Sequence, residues 1–376
     1  MRTIKFGIIG CGLMGREFAS VAARWLHLTG EVARPEIIAV CDVNPGATQW
    51  FAKNIPTVTL VTSDYHELLN HREVEAVYCA VPHNMHKQIY VDIINAKKHF
   101  LGEKPFGMDW EANAAIMKAV RENPEVVVRC ASEFPFYPAC QELIRWVKAG
   151  KVGKIIEVNA GINHSSDLDL TKPINWKRKV EINGEYGCMG DLGIHTQHVP
   201  FRLGLIPKTV YAKLANIARE RPDDKGNMVP CLTWDNAVLL CDGEDASGDT
   251  FPMTFEMKRM KPGATNDWYL EIHGLHCSVR FATDDANAFY YTQACGREQA
   301  WCRIVIGNKP LFPTITGAIF EFGFSDAILQ MWASFLSEIA GEAVEFGCFT
   351  PEETILSHKL FTAALKSEKS KAMEEL

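Results

Sequence analysis

Apolar residues recur in two rhythms along this chain, and the change between them falls near residue 150. Before it, short apolar runs alternate with stretches whose apolar positions repeat every three or four residues. The runs at 6–9, 36–41, 57–61, 76–81, 100–101 and 126–131 read as buried strands, being too brief for helices and bounded by polar or turn residues. Residues 16–24, 64–69, 85–97 and 110–122 read as the helices between them, and the polar segment 28–35 as a loop. Such alternation predicts a parallel sheet with helices on both faces. After a helix at 138–149, strand-like runs follow at 155–161, 209–217, 237–241, 251–258, 268–272, 278–281, 289–293 and 301–306. Few helices intervene, so this half predicts a large, mainly antiparallel open sheet. The polar stretch 219–230 predicts a surface loop, and helices at 327–339 and 351–367 close the chain. The expected fold is α/β followed by α+β, divided into residues 1–130 and 131–376.

The first strand runs into FGIIGCGLMG, residues 6–15, where Gly10, Gly12 and Gly15 have the spacing G-x-G-x-x-G. Glycine permits a sharp turn and a close backbone approach to a pyrophosphate, whose charge meets free N–H groups at a helix start. Placed between a strand and a helix, the pattern predicts a Rossmann dinucleotide-binding domain, with Leu13 and Met14 inside the turn. Asp42 closes the second strand. An acid there can bond both ribose hydroxyls and would repel a 2′-phosphate, which favours NAD over NADP. The separation from Gly10 exceeds the usual spacing of about 20 residues, and the 28–35 insertion accounts for the excess. Asp42 could instead cap the turn at Asn44-Pro45-Gly46. A ligand of such a sheet lies beyond the strands' carboxyl ends. Val81, then Pro82-His83-Asn84-Met85-His86, Glu103-Lys104-Pro105 and Glu133 stand at those ends.

Composition narrows the classes. A length of 376 residues makes two domains the default, and 47% hydrophobic with 23% charged residues is ordinary for a globular protein. A net charge of −7 argues against general affinity for nucleic acid or anionic membranes. No apolar run reaches the length of a membrane span, and the N-terminus lacks signal-peptide character, so a cytoplasmic location is expected. None of the 12 cysteines forms C-x-x-C, and they read as reduced thiols in apolar runs.

Two constellations could carry chemistry. In Glu103-Lys104-Pro105, proline restricts the lysine's backbone, and an ammonium in the crevice can stabilise an oxygen gaining negative charge. In Gly190-Asp191-Leu192-Gly193-Ile194-His195, a helix would put His195 one turn beyond Asp191, where a carboxylate can orient an imidazole as general base. His198 and Arg202 continue that face. Asp191, His195 and His198 have a spacing that permits metal, but no partner motif accompanies them, and no metal is expected. Phe134, Phe136, Tyr137, Trp176 and Tyr186 are candidates for a sugar platform on aromatic grounds, with Trp176 supported by the adjoining Lys177 and Arg178. Pro200 should kink or end its helix.

The ordered set FGIIGCGLMG, AVPHNMH, GEKPFG and GDLGIH resembles the Gfo/Idh/MocA oxidoreductases, and the phrases IHGLHCSVRF and TPEE extend the likeness nearly end to end. The resemblance implies NAD(P)-dependent hydride transfer at a secondary hydroxyl of a sugar, sugar derivative or cyclitol, by a homodimer or homotetramer. It implies that Lys104, Asp191 and His195 are catalytic, with Asp191 orienting His195 and Lys104 stabilising the alkoxide. It places Asn84, His86 and Glu103 on the nicotinamide-ribose side of the cofactor. The expected cofactor set is Gly10, Gly12, Leu13, Met14, Gly15, Asp42, Val81, Pro82, Asn84, His86, Glu103 and Lys104. The expected substrate set is Lys104, Trp176, Arg178, Asp191 and His195. Three departures, at 185–190, at His198 and at Pro135, all lie toward the substrate side. Two other activities fit the same motifs: glycoside cleavage with recycled NAD, and sugar sensing without catalysis.

Overall fold

The computed structural model describes residues 2–30, 33–295, 297–307 and 309–376. Six parallel strands form the first sheet: β1 (Arg2–Ile9), β2 (Ala33–Cys41), β3 (Leu60–Thr62), β4 (Ala76–Cys79), β5 (His99–Gly102) and β6 (Val128–Cys130). Their order, β3-β2-β1-β4-β5-β6, reverses direction at β1, and a ligand crevice opens at such a reversal. Ile9 is in register with Cys41 and with Cys79, so Gly10, Asp42 and Ala80 emerge side by side at one edge.

Phe6 and Gly7 point to opposite faces of β1, and both faces are covered. A Cβ on Gly7 would strike Leu68 of the helix Tyr65–Asn70. On the other face Phe6 meets Phe18 edge-on at 5.0 Å, and Trp332 stacks on Phe18 at 3.7 Å. Trp332 belongs to the helix Phe324–Ile339, so a segment from the far end of the chain closes the first sheet. The predicted helix 110–122 is found at Trp110–Glu122. The third strand lies three residues later at its start than its predicted start, because Thr57 and Thr59 instead bond the carbonyls of Ile37 and Ile38 through their side chains. Of the expected 28–35 loop, Ala33 to Pro35 are already strand, and residues 31 and 32 lie outside the described residues.

The second sheet has ten strands, centred on Ile155–Asn163. That strand pairs parallel with Thr250–Lys258 and antiparallel with Asp267–Gly274, and the remaining pairings are antiparallel. Strict alternation buries Ala237, Leu239 and Cys241 on one strand and Phe251, Met253, Phe255 and Met257 on its neighbour. The helices Cys188–Arg202 and Pro351–Ser370 lie on this buried face, so close that a Cβ on Gly193 would be 2.4 Å from the Phe361 ring. Pro200 falls in the last turn of its helix, which ends two residues on at Arg202.

The 219–230 segment is not a loop. It forms a two-stranded hairpin, Glu220–Pro222 with Met228–Pro230. Arg221 is buried there because its guanidinium donates to the carbonyls of Asp167 and Asp169, which satisfies the charge internally.

Candidate active site

A cleft of about 330 Å³ opens where the carboxyl ends of the first sheet face the helix Cys188–Arg202. Its floor begins on the glycine turn. Gly10 has φ of +94°, and a Cβ there would sit 2.4 Å from the carbonyl oxygen of Ala80. A Cβ on Gly15 would meet the carbonyl oxygen of Gly10 at the same distance, whereas one on Gly12 would meet nothing within 4 Å and faces the cleft. Gly12 caps the helix Leu13–Ala23 without a side-chain hydrogen bond, and no acid stands in the first turn. The turn therefore presents free N–H groups and open space to an anion, which is the cradle a dinucleotide pyrophosphate needs. Asp42 accepts from Cys11 N and from Asn44 N, both at 2.8 Å. It both ties down the glycine turn and caps the turn that follows, and it stays half-exposed.

Leu13, Met14, Val81, Pro82, Glu103, Lys104, Trp176 and Asp191 line the cleft as the sequence anticipates. Glu103 is fixed by the Tyr78 hydroxyl at 2.7 Å. Lys104 reaches across the cleft to Asp191 at 2.9 Å, joining the two halves of the chain. Asp191 is 1% exposed, and it is held by three cations. Beside Lys104, Lys177 Nζ lies 3.0 and 3.1 Å from its two oxygens, and Arg259 Nε lies 3.2 Å from Oδ2. Burial alone would raise the Asp191 carboxyl, but the three cations outweigh it and hold it well below the usual range. Burial lowers the Lys104 ammonium, yet Asp191 and Glu103 more than compensate and raise it. At Lys177 burial prevails, with Lys104 and Arg259 adding to it, and the ammonium is pulled below its ordinary value.

Four expectations need correction. Asp191 does not orient His195, because its oxygens are taken by Lys104, Lys177 and Arg259. His195 Nδ1 instead lies 3.9 Å from Glu133 Oε2 and makes no hydrogen bond. Arg178 cannot touch a substrate. It is 0% exposed and paired with Asp167 and Asp235, since the turn Trp176–Arg178 sends it into the protein and Lys177 into the cleft. His86 does not face the cofactor; its ring nitrogens lie 2.7 Å from Pro105 O and 2.9 Å from Val81 O, bracing the two backbone segments that line the cleft. Asn84 is exposed on the turn His83–Met85, outside the cleft, and His83 takes its place.

The sequence puts His83 and Glu133 at the strand ends and Lys177 beside Trp176 without a role for any of them, and it does not point to Arg259. His83 is buried, with Nδ1 3.1 Å from Asn183 O and its ring edge-on to Trp176 at 4.8 Å. Two charges closing an apolar strand, Lys258-Arg259, were the available signal for Arg259. Phe134, Phe136, Tyr137 and Tyr186 are core, although Phe134 packs edge-on to His195 at 5.1 Å. His198 packs between Phe346 and Phe349, away from Asp191. Among the described residues no group of three His, Cys, Asp or Glu side chains is placed to share a metal ion. Burial, with Lys104 next, pulls the His195 imidazole down to about 3, so it is neutral at working pH.

A glycine cradle at a sheet reversal, with a half-buried lysine across from it, defines a dinucleotide-dependent oxidoreductase, and comparison with known proteins agrees. Residues 4–130 match the family described as an oxidoreductase family with an NAD-binding Rossmann fold, and residues 140–280 match the Gfo/Idh/MocA C-terminal domain. The chain belongs to the Gfo/Idh/MocA family of NAD-binding oxidoreductases. Levoglucosan dehydrogenase from Pseudarthrobacter phenanthrenivorans is 25% identical over 75% of this chain and 74% of its own length. Inositol 2-dehydrogenase from Salmonella typhimurium is 25% identical over 42% of this chain and 45% of its own length. In three dimensions, levoglucosan dehydrogenase in complex with NADH superposes with a TM-score of 0.88 at 20% identity, over 100% of this chain and 99% of the other. An oxidoreductase domain protein from Kribbella flavida gives 0.89 at 21% identity over the same shares. These superpositions establish the fold.

Proposed function

We propose that this protein oxidises a secondary hydroxyl of a sugar or cyclitol to a ketone, reversibly. The observation that carries the reading is the Lys104–Asp191 ion pair, which crosses a cleft that begins on the glycine turn. Bound NAD supplies the hydride acceptor. Lys104, kept charged by Asp191 and Glu103, holds the reacting oxygen and stabilises it as negative charge develops. Neutral His195 takes the hydroxyl proton. Asp191 fixes Lys104 and Lys177 rather than His195, and Trp176 gives an apolar wall against which C–H groups of a ring can pack. The dehydrogenases of levoglucosan and inositol among its relatives support the substrate class.

We assign residues 1–130 to cofactor binding and 131–376 to substrate binding and assembly. A homodimer or homotetramer in the cytoplasm fits two features. The second sheet exposes Tyr211, Leu240 and Trp301, and the cysteines described with their side chains are unpaired. No helix among the described residues is long and apolar enough to cross a membrane. The test is a panel of sugars and cyclitols with NAD, followed by NADH absorbance. Steady NADH formation supports a dehydrogenase. Product release without NADH would indicate glycoside cleavage, and ligand binding without turnover a sensor.

A further inference from the structure

His195 has an unmet need that Asp191 does not fill. Its ring is enclosed, edge-on to Phe134 at 5.1 Å, while Trp268 stacks parallel to Phe134 at 5.9 Å and donates its indole N–H to the His195 carbonyl at 2.8 Å. The backbone of His195 is thereby anchored, but Nδ1 is left buried without a hydrogen-bond partner. A buried polar atom in that state is costly and calls for a partner in the working state. The group facing it is Glu133, which follows β6 on a segment of buried residues and is itself 7% exposed. A shift of about 1 Å would turn the 3.9 Å separation into a hydrogen bond, and catalytic hydrogen bonds are often this long before substrate binds.

We propose that Glu133 is the positioning residue for His195: its carboxylate accepts the Nδ1–H, which leaves Nε2 free to take the substrate proton, and it stabilises the imidazolium that results. The inference rests on the reading of His195 as the base. In the oxidation, the substrate O–H bond breaks and its proton adds to Nε2. The C–H electron pair leaves as hydride to oxidised NAD, and the C=O bond forms. The proton passes to solvent when product leaves, and Glu133 keeps its charge throughout.

The surroundings of Glu133 make this role visible in pH. Burial first and the Glu103 carboxylate second raise its carboxyl to about 7, against the pull of Lys104. The other ionisable groups facing the pair are Tyr78 on β4, Cys130 on β6, Tyr137, Asp191, His198 and Lys177. Tyr78, Cys130 and Tyr137 are all pushed up, Asp191 lies far below neutrality and burial pulls His198 well down, so these five do not change charge between pH 6 and 8. Lys177 is pulled down, and the variants below separate its titration from that of Glu133. Below about 7 the carboxyl is neutral and cannot hold the imidazolium; above it, the carboxylate can.

The test compares wild type, Glu133→Gln and Glu133→Asp, with saturating NAD and a substrate from the panel above. Wild-type kcat for oxidation should rise about tenfold from pH 6 to 8, and Glu133→Gln should lie about 100-fold lower with that limb gone. Glu133→Asp keeps the charge but retracts it, and should restore part of kcat together with the limb. If Glu133→Gln does not fold, Glu133→Asp still decides: a limb that belongs to position 133 should move to lower pH with the more acidic aspartate, whereas a limb left in place with kcat unchanged belongs to Lys177 and overturns the proposal. Infrared spectra of the cofactor-free protein give an independent reading: a protonated carboxyl band at pH 6 should vanish by pH 8 and be missing in Glu133→Gln. The proposal is overturned by a Glu133→Gln enzyme within twofold of wild type, by a limb that persists in it, or by absence of the band. No NADH from wild type on any substrate would instead defeat the dehydrogenase reading, while the infrared result still reports on Glu133.

Discussion

Two buried carboxylates, Asp191 and Asp235, are each held by cations that are neighbours in the chain, Lys177 and Arg178, yet they do different things. Asp235 is 0% exposed and so is Arg178. Asp235 also accepts the backbone N–H groups of Ile217 and Ala218, and Arg178 spends its other arm on Asp167. That cluster is turned away from the cleft: 13% of the Asp167 side chain is exposed, and none of Arg178 or Asp235. Asp191 is equally buried, but two of its partners reach into the cleft, with 19% of the Lys104 side chain and 37% of Lys177 exposed. A closed cluster stabilises a fold; an open one can lend a donor to a substrate. Burial of a charge does not separate structure from function, but the exposure of its partners does.

The comparison breaks most sharply at its closed end. Arg178→Met leaves Asp235 buried with its guanidinium gone, and should cost about 3–5 kcal/mol in urea unfolding. Its kcat per folded molecule should stay near wild type. A large loss of kcat without a loss of stability would place Arg178 in the cleft after all. Lys104→Ala should do the reverse. Loss of one donor to a developing oxyanion costs about 100- to 1,000-fold in kcat, roughly 3–4 kcal/mol, and cofactor affinity should change little. If Lys104→Ala retained near-native turnover while folded, the open cluster would not be catalytic.

The parts of this site that were legible in the sequence are those where backbone geometry dictates the residue. Gly10 and Gly15 are required because a Cβ would collide with backbone at 2.4 Å, and so the turn is written in the chain. Lys104 was legible because it stands at a strand end before proline. The choice between Lys177 and Arg178 was not, because it depends on which way a short turn is rotated. Asn175 fixes that rotation by accepting the Lys177 N–H at 2.9 Å, a contact no linear motif encodes. The same holds for His195. Its helix is written in the sequence, but the carboxylate that faces it, Glu133, comes from a different element, and the i, i+4 spacing points to Asp191 instead. The helix expected at 327–339 is found at Phe324–Ile339, but its pattern could not say that it would cover the first sheet.

Smaller effects sharpen the contrast within the open cluster. Lys177→Gln keeps a hydrogen-bonding side chain but removes a charge that Lys104 can partly replace at Asp191. It should lower kcat/KM for the substrate about tenfold, ~1.4 kcal/mol, with no loss in urea stability. A loss of stability like that of Arg178→Met would show that Lys177 belongs with the closed cluster.

The mildest change concerns the other wall of the cleft. Gly12 differs from Gly10 and Gly15 in that an added Cβ meets no protein atom within 4 Å, so Gly12→Ala should fold as wild type does. What the methyl group would meet is the cofactor, which approaches the backbone of this turn closely. KM for NAD should therefore rise several-fold, about 1 kcal/mol, with kcat and the ranking of sugars unchanged. Gly10→Ala, whose Cβ falls 2.4 Å from Ala80 O, should instead lose stability. An altered sugar ranking in Gly12→Ala, with NAD binding intact, would mean that the glycine turn shapes the substrate pocket as well as the cofactor cradle.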